Sequence, residues 1–158
     1  MSDGGFAIQR VEGANEAVDD ILARHHALMR SQSPEESCHV MTADALRASG
    51  AKLFAISAPD GAVAGVGALK TLGDNTVELK SMHTLSEYRG QGIGARLLSH
   101  LLSVARADGA SAMLLETGSE APFAAARALY AKHGFDYCPP FGDYVEDPLS
   151  VFMKQALA

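Results

Sequence analysis

Cysteine is scarce in this chain of 158 residues: Cys38 and Cys138 are the two present, they lie far apart, and they form no Cys-x-x-Cys pair. That pattern excludes a disulfide framework and leaves two free thiols as the expectation. Long apolar runs are missing too. None approaches the ~20 residues needed to cross a bilayer, and Met1-Ser2-Asp3-Gly4-Gly5 has neither the basic stretch nor the apolar core of a secretory signal, so a cytoplasmic protein without a membrane partner is expected. Positive charge is in deficit, 13 Lys and Arg against 19 Asp and Glu, for a net charge of −6. No basic face is visible to neutralise phosphates along a nucleic acid, whereas an acidic surface favours cationic amines. Internal repeats and low-complexity segments are absent. What is plentiful is apolar content, 47% of residues, enough for one core in a single domain spanning residues 1–158.

The most informative stretch is Tyr88-Arg89-Gly90-Gln91-Gly92-Ile93-Gly94, followed by Ala95-Arg96-Leu97-Leu98. Its glycines permit tight turns and close approach of a ligand to main-chain N–H groups. Ile93, Leu97, Leu101 and Val104 then recur at helical spacing until Asp108-Gly109 stops the run. A loop that opens a helix offers unpaired N–H groups and the positive end of the helix dipole, which suits a phosphate or pyrophosphate. No lysine follows Gly94, so the loop is not a Walker A motif, and Gly-x-Gly-x-Gly late in a chain fits a dinucleotide fingerprint poorly.

Around this loop the periodicities predict a strand over residues 6–11, a helix carrying Val18, Ile21, Leu22, His25 and Leu28 that ends near Pro34, and a short helix from Met41. A hairpin of residues 53–57 and 62–72 turns at Pro59-Asp60-Gly61, and residues 76–85 form a further strand. Beyond the loop helix, Ser111–Thr117 reads as a buried strand parallel to the one ending near Leu85. A last helix stops at Gly134, and strands over residues 135–138 and 150–154 follow. His25 and His26 are adjacent on a helix, point in different directions and lack a partner at zinc-ligand spacing, so no metal site is expected.

Arg89, Gly92 and Gly94 fill Arg-x-x-Gly-x-Gly at a strand-to-helix junction, and in this the chain resembles the GNAT superfamily of coenzyme A dependent N-acyltransferases. Val77–Tyr88 resembles that family's central strand, and Ala128-Leu129-Tyr130-Ala131-Lys132-His133-Gly134-Phe135 its last helix and following strand; the likeness spans roughly residues 50–155. The resemblance implies an α/β (α+β type) fold, a mixed, mostly antiparallel sheet of about seven strands with a parallel pair at its centre, flanked by about four helices. It implies acetyl-coenzyme A as cosubstrate, a small-molecule amine or amino acid as acceptor, and a homodimer. It places the coenzyme against Met82, His83, Thr84, Arg89, Gly90, Gln91, Gly92, Ile93, Gly94 and Ala95.

Acyl transfer to an amine needs a base, a donor to polarise the thioester carbonyl and a proton for the thiolate. The resemblance gives Tyr130 the last role. Glu78 stands where relatives carry a base, and His83 is the second candidate, with a reference pKa of about 6.5 suited to the task. Regular alternation puts Glu78, Lys80, Met82 and Thr84 on one strand face and Leu79, Ser81, His83 and Leu85 on the other. Only one of the two bases then faces the cleft, unless a bulge turns both toward it. The plain alternative for Glu78 is an ion pair with Lys80. Arg127 and Lys132 add charge near the coenzyme phosphates or are simply solvated. Phe123 replaces an asparagine that many relatives carry, and Ser86 a proline. Segments resembling a bacterial subgroup suggest Ser37, His39 and Tyr144 as acceptor contacts. The competing classes are a module that senses acyl-coenzyme A without turnover and an unrelated nucleotide-phosphate enzyme.

Overall fold

Where apolar residues alternate with period two the chain forms strands, and where they recur every three to four residues it forms helices. A computed structural model describes residues 5–12, 15–32, 43–142 and 144–157. The elements run β1 (Ala7–Val11), α1 (Glu16–Gln32), α2 (Ala43–Ala48), β2 (Lys52–Ser57), β3 (Val63–Thr71), β4 (Thr76–Thr84), α3 (Ile93–Ala107), β5 (Ala112–Gly118), α4 (Ala124–Lys132), β6 (Asp136–Cys138) and β7 (Ser150–Ala156). Glycines stop α3 and α4. At the end of α3 the Ala110 N–H donates to Ala105 O at 2.9 Å and the Gly109 N–H to Arg106 O at 3.0 Å, with Gly109 at φ 86°, a left-handed cap that satisfies the last carbonyls. α4 closes the same way at Gly134.

All seven strands join one sheet in the order β1-β2-β3-β4-β5-β7-β6. Every pairing is antiparallel except β4 with β5, whose connection is the crossover through α3. The mixed sheet, its central parallel pair and the four helices agree with the fold expected from the sequence.

Two apolar layers sandwich the sheet. On one face Leu97, Leu98 and Leu101 of α3 pack with Ile56, Leu69, Leu79, Met113, Leu115, Tyr130 and Met153. On the other, Val18, Ile21 and Leu22 of α1 and Leu46 of α2 cover Leu53, Ala55, Val66 and Ala68. Arg47 of α2 grips both carboxylate oxygens of Asp19 on α1 at 2.8 and 3.1 Å, a planar two-point bond that fixes these helices to each other. Gly67 lets α3 approach β3 closely, since a Cβ there would lie 3.0 Å from Leu101 Cδ1 and 3.1 Å from Met82 Sδ.

Candidate active site

The parallel pairing of β4 with β5 runs from Thr76 opposite Ala112 to Leu79 opposite Leu115 and then ends, so the sheet forks at its centre. Beside the fork β4 carries a bulge. Val66 pairs with His83 and Ala68 with Lys80, which leaves Ser81 and Met82 opposite the single residue Gly67. Ser81 takes φ 55°, a left-handed conformation uncommon for a residue with a side chain. The extra residue reverses the facing of everything after it.

The facing expected from unbroken alternation is therefore corrected. Glu78, Lys80 and His83 share the α1 face, His83 lying opposite the α1-side residue Val66. Met82 turns to the α3 core, and Thr84 Oγ1 lies 3.5 Å from a Cβ built on Gly94. Both base candidates are thus on one side of the sheet.

The end of β4, the glycine loop, α4 and the His25 and Leu28 positions of α1 enclose a cavity of about 440 Å³. Met82, His83, Thr84, Arg89, Gly90, Gly92, Ile93, Gly94 and Ala95 line it, as does Tyr130. Gln91 is not among the lining residues; its amide donates instead to Glu87 O at 3.5 Å. Gly90 and Gly92 have φ 81° and 76°, and Gly92 caps α3 with no side chain among the described residues capping it. The first N–H groups of α3 are left for an anion. Arg89 Nε donates to Thr84 O at 3.3 Å across the loop. Arg127, a candidate for phosphate contact, is committed elsewhere: it donates to Gly118 O at 2.7 Å and Glu120 O at 2.9 Å. Phe123 packs its ring over Gly118, where a Cβ would collide with it.

His25 of α1 also lines the cavity. It is 8% exposed, its ring lies 4.7 Å from that of His83, and its Nδ1 has no hydrogen-bond partner among the described residues. Burial, then the neighbouring His83 and His26, pull its pKa down to about 3. His83 is lowered as well, by burial first and then by Arg89. Both rings are neutral at pH 7. Tyr130 is buried and held protonated, its pKa raised by burial and next by the charge of Glu116.

The other candidates gather on the α1 face of the fork. Tyr144 donates its hydroxyl to Glu78 Oε2 at 2.5 Å. Lys80 Nζ lies 3.1 Å from the same oxygen and 3.0 Å from the Tyr144 hydroxyl, so the ion pair weighed for Glu78 does form. Phe141 and Phe152 pack against the Tyr144 ring at 5.1 and 5.4 Å. Ser37 and His39 lie outside the described residues. Sequence reasoning passed over Glu116, the first residue of β5 beyond the fork. Its signal was a carboxylate directly after the apolar run Ala112-Met113-Leu114-Leu115. Among the described residues no group of acidic, histidine or cysteine side chains is placed to hold a metal, and no helix is long and apolar enough to cross a membrane.

Comparison with known proteins agrees with this geometry. The profile of the family described as Acetyltransferase (GNAT) family matches residues 17–135. The uncharacterized N-acetyltransferase YedL of Escherichia coli (strain K12) is 39% identical over 152 residues, covering 96% of this chain and 95% of that one. The IAA acetyltransferase of Azospirillum brasilense is 36% identical over 152 residues, covering 95% and 97%. Among solved structures, a proposed acyl-CoA N-acyltransferase of Klebsiella pneumoniae superposes with a TM-score of 0.79 at 28% identity, covering 97% of this chain and 98% of that one. The forked sheet, the bulge and the glycine loop thus stand in a chain that belongs to the GNAT family of acetyltransferases and is an acetyl-coenzyme A dependent N-acetyltransferase.

Proposed function

We propose that the enzyme acetylates the primary amine of a small molecule or amino acid, with the coenzyme in the cavity between α3 and α4 and the acceptor on the α1 face of the fork. The observation that carries this reading is the fork itself. It joins a cavity edged by helix N–H groups and Tyr130 to a buried polar cluster on the α1 face. The pyrophosphate sits on the N–H groups of Gly92, Ile93, Gly94 and Ala95, with Arg89 adding charge. The pantetheine arm runs along Met82, His83 and Thr84, and Tyr130 donates a proton to the departing thiolate.

Glu78, Lys80 and Tyr144 orient the acceptor. Two of the bonds Glu78 can accept are already taken by Lys80 and Tyr144, which favours holding the amine over stripping it of a proton. His83 is a poor base, because burial and Arg89 both disfavour its charged form. An acyl-coenzyme A sensor would have no use for an acid at Tyr130 or for a buried acceptor cluster.

The test is turnover. Acetyl-coenzyme A is incubated with a panel of amino acids, alkylamines and arylalkylamines, and free thiol is followed; IAA, named in the Azospirillum relative, belongs in the same panel. Release of thiol with at least one amine, together with a mass gain of one acetyl group on that amine, is expected. Tight coenzyme binding with no acceptor-dependent release would leave the sensing module as the better reading.

A further inference from the structure

Glu116 is a half-buried carboxylate at the fork with no ion-pair partner within 4.0 Å among the described residues. Leu115 packs in the α3 core, so alternation sends Glu116 to the opposite face, that of Glu78. Its partner across β7 is Phe152, whose ring packs against Tyr144, the residue bonded to Glu78. The electrostatic neighbours of Glu116 come from every element around it: Lys80 and Glu78 on β4, Ser150 on β7, Asp147 in the preceding loop, Tyr130 on α4 and Tyr144. Ser150 Oγ is buried beside it. Glu116 thus lies on the acceptor side of the fork, within electrostatic reach of both the acceptor cluster and the proposed acid.

We propose that Glu116 is the residue that takes the proton from the acceptor's nitrogen during acetyl transfer. This assignment takes transfer to a small amine, as proposed above, as given. The nitrogen attacks the thioester carbon, an N–C bond forms and the C–S bond breaks. The proton leaving nitrogen goes to a Glu116 carboxylate oxygen, and the Tyr130 hydroxyl proton goes to the thiolate sulfur. Glu116 then gives its proton to water and the Tyr130 oxygen takes one from water, so both residues are restored with no net change in protons.

Two properties fit the role. Burial, only partly offset by Ser150 and Lys80 and reinforced by Glu78 and Asp147, raises Glu116 to about 7, where a general base works best at neutral pH. And because the charge of Glu116 helps to keep Tyr130 protonated, neutralising Glu116 makes Tyr130 a stronger acid at the moment the thiolate needs a proton.

Two measurements test the proposal. In protein carrying carbonyl-labelled glutamate and saturated with coenzyme A, the Glu116 resonance, assigned by its loss in Glu116→Gln, should titrate near pH 7. A midpoint in the ordinary range of about 4.3 overturns the assignment, whether or not an acceptor is known. With the best amine from the panel, Glu116→Gln should lower kcat by ~100-fold or more and remove the acidic limb of the kcat/KM profile, with calorimetric coenzyme affinity unchanged. Glu78→Gln should raise the amine KM and keep the limb. The limb surviving in Glu116→Gln, or vanishing in Glu78→Gln instead, overturns the proposal. No turnover of any amine by the wild type counts against the amine reading, and Glu116 is then decided by its titration.

Discussion

Gly92 and Gly94 are two letters apart in the same loop, yet they are glycines for different reasons. At Gly92 no protein atom lies within 4 Å of an added Cβ, but φ is 76°, so Gly92→Ala should cost about 1 kcal/mol of backbone strain. At Gly94 the backbone is helical, and a Cβ would make ordinary contacts, 3.4 Å to Leu129 Cδ2 and 3.5 Å to Thr84 Oγ1. Gly94→Val therefore tests the anion seat with less disturbance of the fold: it should weaken coenzyme A binding strongly in calorimetric titration while moving the melting temperature little. Wild-type affinity in that variant would remove the pyrophosphate from the start of α3. Tyr130→Phe is the matching test on the acid. It keeps the buried ring and its edge contact with Phe135, so a fall in kcat of ~100-fold with little loss of stability is expected, and wild-type turnover would leave Tyr130 a packing residue. Tyr130 and the glycines were legible in the sequence because a motif and a family likeness converge on them. Glu116 was not, because a single carboxylate after four apolar residues looks like the end of a strand until its neighbours are known.

At the scale of elements, the order of strands and helices was legible throughout the described residues, since period-two and helical patterns are separated by Gly, Pro and Asp turns. The facing of β4 was not legible. Bulges with a left-handed residue are expected at glycine, asparagine or aspartate, and here the residue is Ser81 between Lys80 and Met82. That one inserted residue brings His83 onto the face of Glu78 and points Met82 into the α3 core. Ser81 carries both an unfavourable φ and a buried hydroxyl with no hydrogen-bond partner among the described residues. Ser81→Gly should accordingly leave stability unchanged or raise it by up to about 1 kcal/mol in urea unfolding. Deleting Ser81 should keep His83 on the face of Glu78 and Met82 on the α3 face, because Met82 and His83 then follow Lys80 in regular alternation. A clear loss of stability in Ser81→Gly would show that the serine side chain supports the bulge in a way its geometry does not reveal.

Over the whole molecule, the same buried groups make stability depend on pH in two opposed directions. His25 has a folded pKa of about 3 against 6.5 unfolded. The unfolded chain therefore binds a proton that the folded one refuses, and stability falls as pH drops from about 6.5 toward 3, by about 2 kcal/mol at pH 5. Glu116 has a folded pKa of about 7 against 4.5 unfolded. Its burial is harmless at low pH, and stability falls as pH rises from about 4.5 toward 7, where the unfolded chain ionises first. The two windows overlap, so the wild type should show a shallow dependence between pH 4.5 and 6.5 that conceals both groups. Single variants separate them. In His25→Leu the melting temperature should decline as pH rises through this range, exposing Glu116. In Glu116→Gln it should climb over the same range, exposing His25. The His25→Leu, Glu116→Gln double variant should be nearly flat. Parallel profiles for the wild type and both single variants would mean that neither group keeps its shifted pKa in solution, and would remove the electrostatic support for Glu116 as the proton acceptor.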